Sequence, residues 1–221
     1  MKRELLVNKQ NNRRKKRDFF RKIFLFFLVF LLTFYISNVE IPQIPFLKGI
    51  YPKFVVLSIE NSLLTILFLS ILLMTIGKKY TYLFNVEPLK KGKTYIWIFA
   101  TIVMIYVMMV LFSDVSGLTF YSSPLEFPYF ILLLIRVVII VPIEEELVYR
   151  GLLLLIPYNK LKYLMLIVSS VIFALIHDDP YKIIWLSLGL GILGIRFNNI
   201  WIPIIAHGIW NLLASFLAVK V

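Results

Sequence analysis

Four charged side chains within seven residues, Glu144, Glu145, Glu146 and Arg150, interrupt a stretch of sequence that is otherwise apolar. A charged side chain inside a bilayer costs about 2.5–3.5 kcal/mol on insertion scales, so three consecutive carboxylates there point to function. On a helix Glu146 reaches Arg150, four residues on, while Glu145 lies about 100° round the axis and faces elsewhere. One carboxylate is then neutralised within its own helix and the other is free to face a cavity. A carboxylate in a low-dielectric cavity suits general-base work. The same string also reads as a salt-bridged helix end at a membrane surface.

The chain holds two histidines. His177 closes Phe173-Ala174-Leu175-Ile176-His177 and is followed by Asp178. His207 opens His207-Gly208-Ile209-Trp210-Asn211, with Pro203 upstream. His207 and Asn211 are four apart and project from one helical face. Each histidine alone reads as a hydrogen-bonded packing residue, and His207 with Asn211 as polar glue between membrane helices. Together with the glutamates they offer more. Two histidines and two glutamates can bind zinc with a position open for water, through Glu145, His177 and His207. The spacing is not H-E-x-x-H, so no motif compels zinc, and a metal-free site is favoured. A proton relay through Glu145, Arg136 and the histidines would suit a small transporter, but no internal repeat accompanies it.

The rest of the chain must hold these groups at depth. It has 221 residues, 60 % apolar and 16 % charged, with mean hydropathy +0.86. A soluble domain is about 45–50 % apolar, so the composition predicts an all-α, polytopic integral membrane helix bundle. There is no cysteine, which excludes disulfides, thiolate metal sites and a cysteine nucleophile. Residues 1–22 carry ten basic side chains against two acidic ones, +8 of the total +12. Such a run beside a membrane span holds it to the anionic cytoplasmic leaflet and sets orientation; nucleic acid is not expected as a partner.

About seven spans are expected, near 19–37, 54–77, 94–113, 129–157, 161–177, 181–195 and 200–219. The first reads as a retained signal anchor, since no small-residue cleavage site follows it. With the N-terminus cytoplasmic, the lysine-bearing loops 78–93 and 158–162 and the Arg196 turn lie inside. Asp114, Glu126, Asp178 and Asp179 lie outside. Residues 1–22 form a basic cytoplasmic segment and 23–221 a single transmembrane domain. By residue count Glu145 and His177 reach similar depths, whereas His207 is shallower. A kink, or a short tilted sixth helix, would have to close that gap.

The ordered set E-E-x-x-x-R, F-x-x-x-H and H-x-x-x-N in late membrane helices resembles the CAAX protease and bacteriocin-processing (Abi) family, which includes the type II CAAX prenyl endopeptidases. The resemblance covers about 125–215 and includes the glycine-rich stretch Leu188–Gly194. It implies intramembrane peptide-bond hydrolysis. Glu145 would be the general base, His177 would hold and polarise water, and His207 and Asn211 would stabilise the oxyanion. Glu146 and Arg150 would support them. It further implies a multi-pass protein of a bacterial cell membrane, in contact with lipids. The substrate would be a short membrane-associated peptide or protein, processed as bacteriocins, pheromones or CAAX-like chains are. A non-catalytic immunity or regulatory membrane protein is the alternative.

Overall fold

The computed structural model describes residues 78–112, 117–120, 127–151 and 159–220, with scattered helical positions within 13–35 and 60–70. The first two expected spans lie largely outside the described residues, as do Asp114, Glu126 and the turn at 152–158.

Two short 3-10 turns, Lys78–Phe84 and Glu87–Lys90, lead into α1 (Gly92–Phe112). Strand β1 (Gly117–Phe120) follows, then α2 (Phe127–Ile135). A π-helical stretch (Arg136–Ile140), α3 (Val141–Glu146) and a second π-helical stretch (Leu147–Gly151) continue it without a break. The helices α4 (Asn159–Leu175), α5 (Pro180–Phe197) and α6 (Trp201–Phe216) complete the bundle, and strand β2 is Leu217–Lys220.

Besides helices and the turns between them, the described residues hold one antiparallel strand pair, in which Gly117 faces Lys220 and Phe120 faces Leu217. The last expected span therefore ends earlier than its apolar run, at Phe216. The apolar residues after it satisfy their backbone groups across the chain instead of along it.

Helices α1 and α5 are long and apolar enough to cross a membrane, and α4 and α6 are shorter apolar helices. Helix α1 shows why a soluble pattern is missing. Thr94, Ile98, Thr101, Ile102 and Ile105 are buried on one face, while Ile96, Phe99, Val107 and Leu111 on the others are exposed. A helix apolar all round yet buried on one side has its remaining faces suited to lipid.

Helix α5 is the central element, sandwiched between α1 and α4. Its glycines make this possible. A Cβ on Gly189 would lie 2.9 Å from Ile105 Cδ1 of α1, and one on Gly191 would collide with Leu166 of α4. Leu186, Leu190 and Leu193 pack with Ile98, Ile102 and Ile105 and with Ile202 and Ala206 of α6. A second core joins Leu147, Val148 and Tyr149 to Met165, Leu166 and Phe173 of α4.

The α5–α6 corner is fixed by polar groups. Asn198 caps α5 in the left-handed region at φ 49°. Asn199 Oδ1 accepts from the N–H groups of Trp201 and Ile202, capping α6, while its Nδ2 donates to Asn85 O at 2.6 Å. Trp201 Nε1 donates to Phe84 O at 3.0 Å. The start of α6, and so the depth of His207, is tied to the first 3-10 turn.

Candidate active site

The site begins with a proline. Pro142 has no N–H to give to the preceding turn. The expected disturbance of the helix takes the form of a π-helical stretch rather than a bare kink: Val141 N–H bonds to Arg136 O, five residues back. In that register the next carbonyl, Val137 O, would look to residue 142 for a donor, and proline cannot supply one. Asn211 of α6 supplies it instead, with Nδ2 donating to Val137 O at 2.9 Å. One turn earlier on α6, Gly208 meets the neighbouring carbonyl. A Cβ there would lie 2.6 Å from Val138 O, so only glycine admits this approach. Proline, glycine and asparagine together bring α6 against the π-helical stretch. This close packing, with the tethered α5–α6 corner, closes the depth gap expected for His207.

His207 then lies between two carboxylates. Its Nδ1 donates to Glu146 Oε1 at 3.0 Å, and its Nε2 faces Glu145 Oε2 at 3.6 Å. The two glutamates were expected to face different ways. Their side chains do differ in exposure, 22 % for Glu145 against 0 % for Glu146, yet one imidazole ring spans both. Glu146 also pairs with Arg150 as the i,i+4 spacing predicts, Nε to Oε2 at 3.1 Å, without hydrogen-bond alignment. Arg150 Nη2 donates to both the carbonyl and the hydroxyl of Ser187 on α5, each at 2.9 Å. The order Ser187–Arg150–Glu146–His207–Glu145 is thus continuous, and buried up to its last member.

His177 is held differently. Its Nδ1 lies 2.6 Å from Phe173 O, one turn back on α4. A carbonyl only accepts, so Nδ1 donates, and in the neutral ring Nε2 is the acceptor. His177 and His207 are both within electrostatic reach of Glu145. Phe173, fully buried, stands between them. Its ring centroid is 4.6 Å from that of His177 and 6.1 Å from that of His207. It packs edge-on to Tyr149 at 5.0 Å and lies under the Arg150 guanidinium at 4.8 Å.

The site therefore gathers Glu145, Glu146, Arg150, His177 and His207. Asn211 is one turn from His207 and uses an amide proton on the helix backbone. Glu144 points to another neighbourhood, where it accepts hydrogen bonds from Ser62 and Thr65 with Arg136 nearby.

Sequence reasoning gave no role to Phe173, Ser187, Ser62 or Thr65. Phe173 was visible as the first letter of F-x-x-x-H; the serines and threonine carried no signal beyond polarity in apolar segments.

A catalytic metal would need Glu145, His177 and His207 to close round one point. Among the described residues no three His, Asp or Glu side chains converge closely enough to hold an ion.

Residues 127–213 match the family model described as Type II CAAX prenyl endopeptidase Rce1-like. Comparison with curated proteins and with solved structures returns no match.

Proposed function

We propose that this chain, whose residues 127–213 belong to the CAAX protease family, is an intramembrane peptidase that hydrolyses a peptide bond with water activated by Glu145. The observation that carries the reading is the seating of His207 between Glu146 at 3.0 Å and Glu145 at 3.6 Å, with His177 within electrostatic reach.

Water is held between the Glu145 oxygen not facing His207 and the free Nε2 of His177. Glu145 takes one proton as the water oxygen attacks the carbonyl carbon. The C=O electrons move onto oxygen, and His207, acting as the imidazolium with its Nδ1 proton on Glu146, turns its second proton, on Nε2, to the oxyanion. The oxyanion collapses, the C–N bond breaks, and the proton on Glu145 passes to the leaving amine. One acid and one amine result, with the water accounted for. General-base help contributes about 10²–10⁴-fold, and a fixed oxyanion donor about 2.7–4 kcal/mol. The 3.6 Å gap leaves room for tightening on binding, as sites without substrate often do.

Asn211 acts on this reading by positioning: its bond to Val137 O fixes α6 and with it His207. The resemblance gives it an oxyanion role, which its second amide proton would serve. The protein would be a multi-pass component of a bacterial cell membrane, and its substrate a short membrane-associated peptide.

The test uses the purified full chain in lipid nanodiscs with a library of lipid-anchored peptides, analysed by mass spectrometry. Fragment pairs whose masses sum to the substrate plus one water, formed equally with and without 1,10-phenanthroline, are expected. Binding without any fragment would favour the non-catalytic reading, and loss of cleavage with the chelator would overturn the metal-free route.

A further inference from the structure

Three consecutive carbonyls before α1 accept from three consecutive residues at the start of α6. Ile200 N–H donates to Leu83 O at 2.9 Å, Trp201 Nε1 to Phe84 O at 3.0 Å, and Asn199 Nδ2 to Asn85 O at 2.6 Å. Leu83 itself, 1 % exposed, is packed into the core. It shares that core with Leu147, Val148 and Tyr149, which directly follow the glutamates, and with Ile200 and Ile204. This clamp therefore touches both sides of the Glu145–His207 pair: the helix that carries the carboxylates and the helix that carries the ring.

The sequence around the clamp is cationic. Residues 78–112 and 195–204 hold six basic side chains, Lys78, Lys79, Lys90, Lys91, Lys93 and Arg196, against one acidic side chain, Glu87. Lys90, Lys91, Lys93 and Arg196 are exposed. They share one end of the bundle, because the Arg196 guanidinium lies 3.7 Å over the ring of Trp97, one turn beyond Lys93 on α1. Helix α1 is long and apolar enough to cross a membrane, so side chains at its first residues stand at headgroup level. Exposed Tyr82 and Tyr95 accompany them, a ring type that collects at that level. Basic side chains there are drawn to anionic phospholipid.

We propose that anionic phospholipid headgroups bind this cationic end of the bundle and, through the clamp at Leu83–Asn85, set the position of His207 and the rate of the reaction. On a neutral surface the lysines repel one another; anionic headgroups offset that repulsion and hold the segment against the membrane. A displacement of residues 83–85 is carried to α6 by all three hydrogen bonds, and His207 lies less than two turns beyond Trp201. The 3.6 Å between its Nε2 and Glu145 is the distance that responds. The effect on rate rests on the peptidase reading; the effect on the ring does not.

The experiment places the full chain, carrying isotope-labelled histidine, in two kinds of nanodisc. One holds phosphatidylcholine alone, and the other about one third phosphatidylglycerol. His177 and His207 are the chain's two histidines, so His177→Gln assigns the ring signals. With an uncharged member of the peptide library, phosphatidylglycerol should raise kcat about tenfold at unchanged KM. The His207 signals should move with it while those of His177 stay, and added salt should cancel both effects. Lys90→Gln, Lys91→Gln and Lys93→Gln together should keep the rate seen in neutral lipid and remove the response. Asn199→Asp keeps the acceptor that caps α6 but gives up the donor to Asn85, so the response should fall with every lysine in place. The lysine comparison stands whether or not Asn199→Asp folds. Equal rates and equal His207 signals in both discs would overturn the proposal. So would a response in KM alone, a response that survives the three lysine substitutions, or a full response in folded Asn199→Asp. His207 signals that follow the lipid while no peptide is cleaved in either disc would sink the peptidase reading and keep the coupling. Cleavage at equal rates in both discs would do the reverse.

Discussion

His177 and His207 flank the same phenylalanine, yet they are anchored by opposite means. His177 is held by a neutral backbone carbonyl within its own helix, at 2.6 Å from Phe173 O. It is partly exposed at the end of α4. His207 is buried and held by a carboxylate from another helix, at 3.0 Å from Glu146. A local tether fixes a ring whatever the rest of the bundle does. A tether across helices fixes it only while Arg150, Ser187 and Asn211 keep α3, α5 and α6 in place. His177 is therefore a locally determined acceptor, and His207 is a reporter on the assembly of the whole site.

The largest expected effect comes from cutting the buried network behind His207. Arg150→Ala leaves Glu146 buried without its guanidinium partner, a loss of about 3–5 kcal/mol. Thermal unfolding in detergent should show it, and hydrolysis should vanish with it. No comparable change in stability is expected for His177→Ala, since its ring bonds only to its own helix.

Next come the rings themselves. His207→Gln should lower kcat by about 10²–10³-fold, the scale of one oxyanion donor. His177→Gln should lower it less and should shift the midpoint of unfolding little. Equal losses of stability in both variants would erase the distinction between local and cross-helix anchoring.

Asn211→Leu is a smaller perturbation. It removes the donor from Val137 O, which Pro142 cannot replace, at about 1–3 kcal/mol. Activity should fall through displacement of His207, so Asn211→Gln or a shape-matched donor should rescue stability before rate. Kinetics and unfolding measured on the same samples separate the two.

The smallest effect is remote from the site. Asp179 caps α5, accepting from Lys182 N at 3.2 Å and pairing with Lys182 Nζ at 2.8 Å. The side-chain hydrogen bond from Lys182 holds its carboxyl below the ordinary 3.8. A lowered value means the carboxylate stabilises the fold above that pH and ceases to as pH falls through the folded value. Asp179→Ala should cost about 1 kcal/mol near neutrality, and the difference from the parent should shrink below about pH 4. A pH-independent difference would show that the cap does not act through its charge.

Much of this was legible in the sequence, and the reasons are local. Glu146–Arg150 and His207–Asn211 follow from a spacing of four on a helix, and each motif falls on an apolar run. The apolar runs at 94–113 and 181–195 predicted α1 and α5 within a few residues. What stayed hidden depends on contacts between helices. Nothing in the spacing of Glu145 and Glu146 says that one ring from α6 would reach both. Asn211 reads as a site donor until Pro142 and the π-helical stretch show which carbonyl lacks a donor. The short strand pair at Gly117–Phe120 and Leu217–Lys220 was invisible, because the run after Phe216 is as apolar as the helix before it.

The central claim is that Glu145, not Glu146, is the reacting carboxylate. Glu146 is committed to Arg150 and His207, while Glu145, partly exposed, faces His207 Nε2 at 3.6 Å and is paired with no lysine or arginine among the described residues. The direct measurement is the rate of peptide cleavage by the parent chain and by Glu145→Gln in the same nanodiscs, with unfolding midpoints recorded on both. Cleavage reduced by about 10²-fold or more at an unchanged midpoint is expected. Undiminished cleavage by Glu145→Gln would contradict the claim.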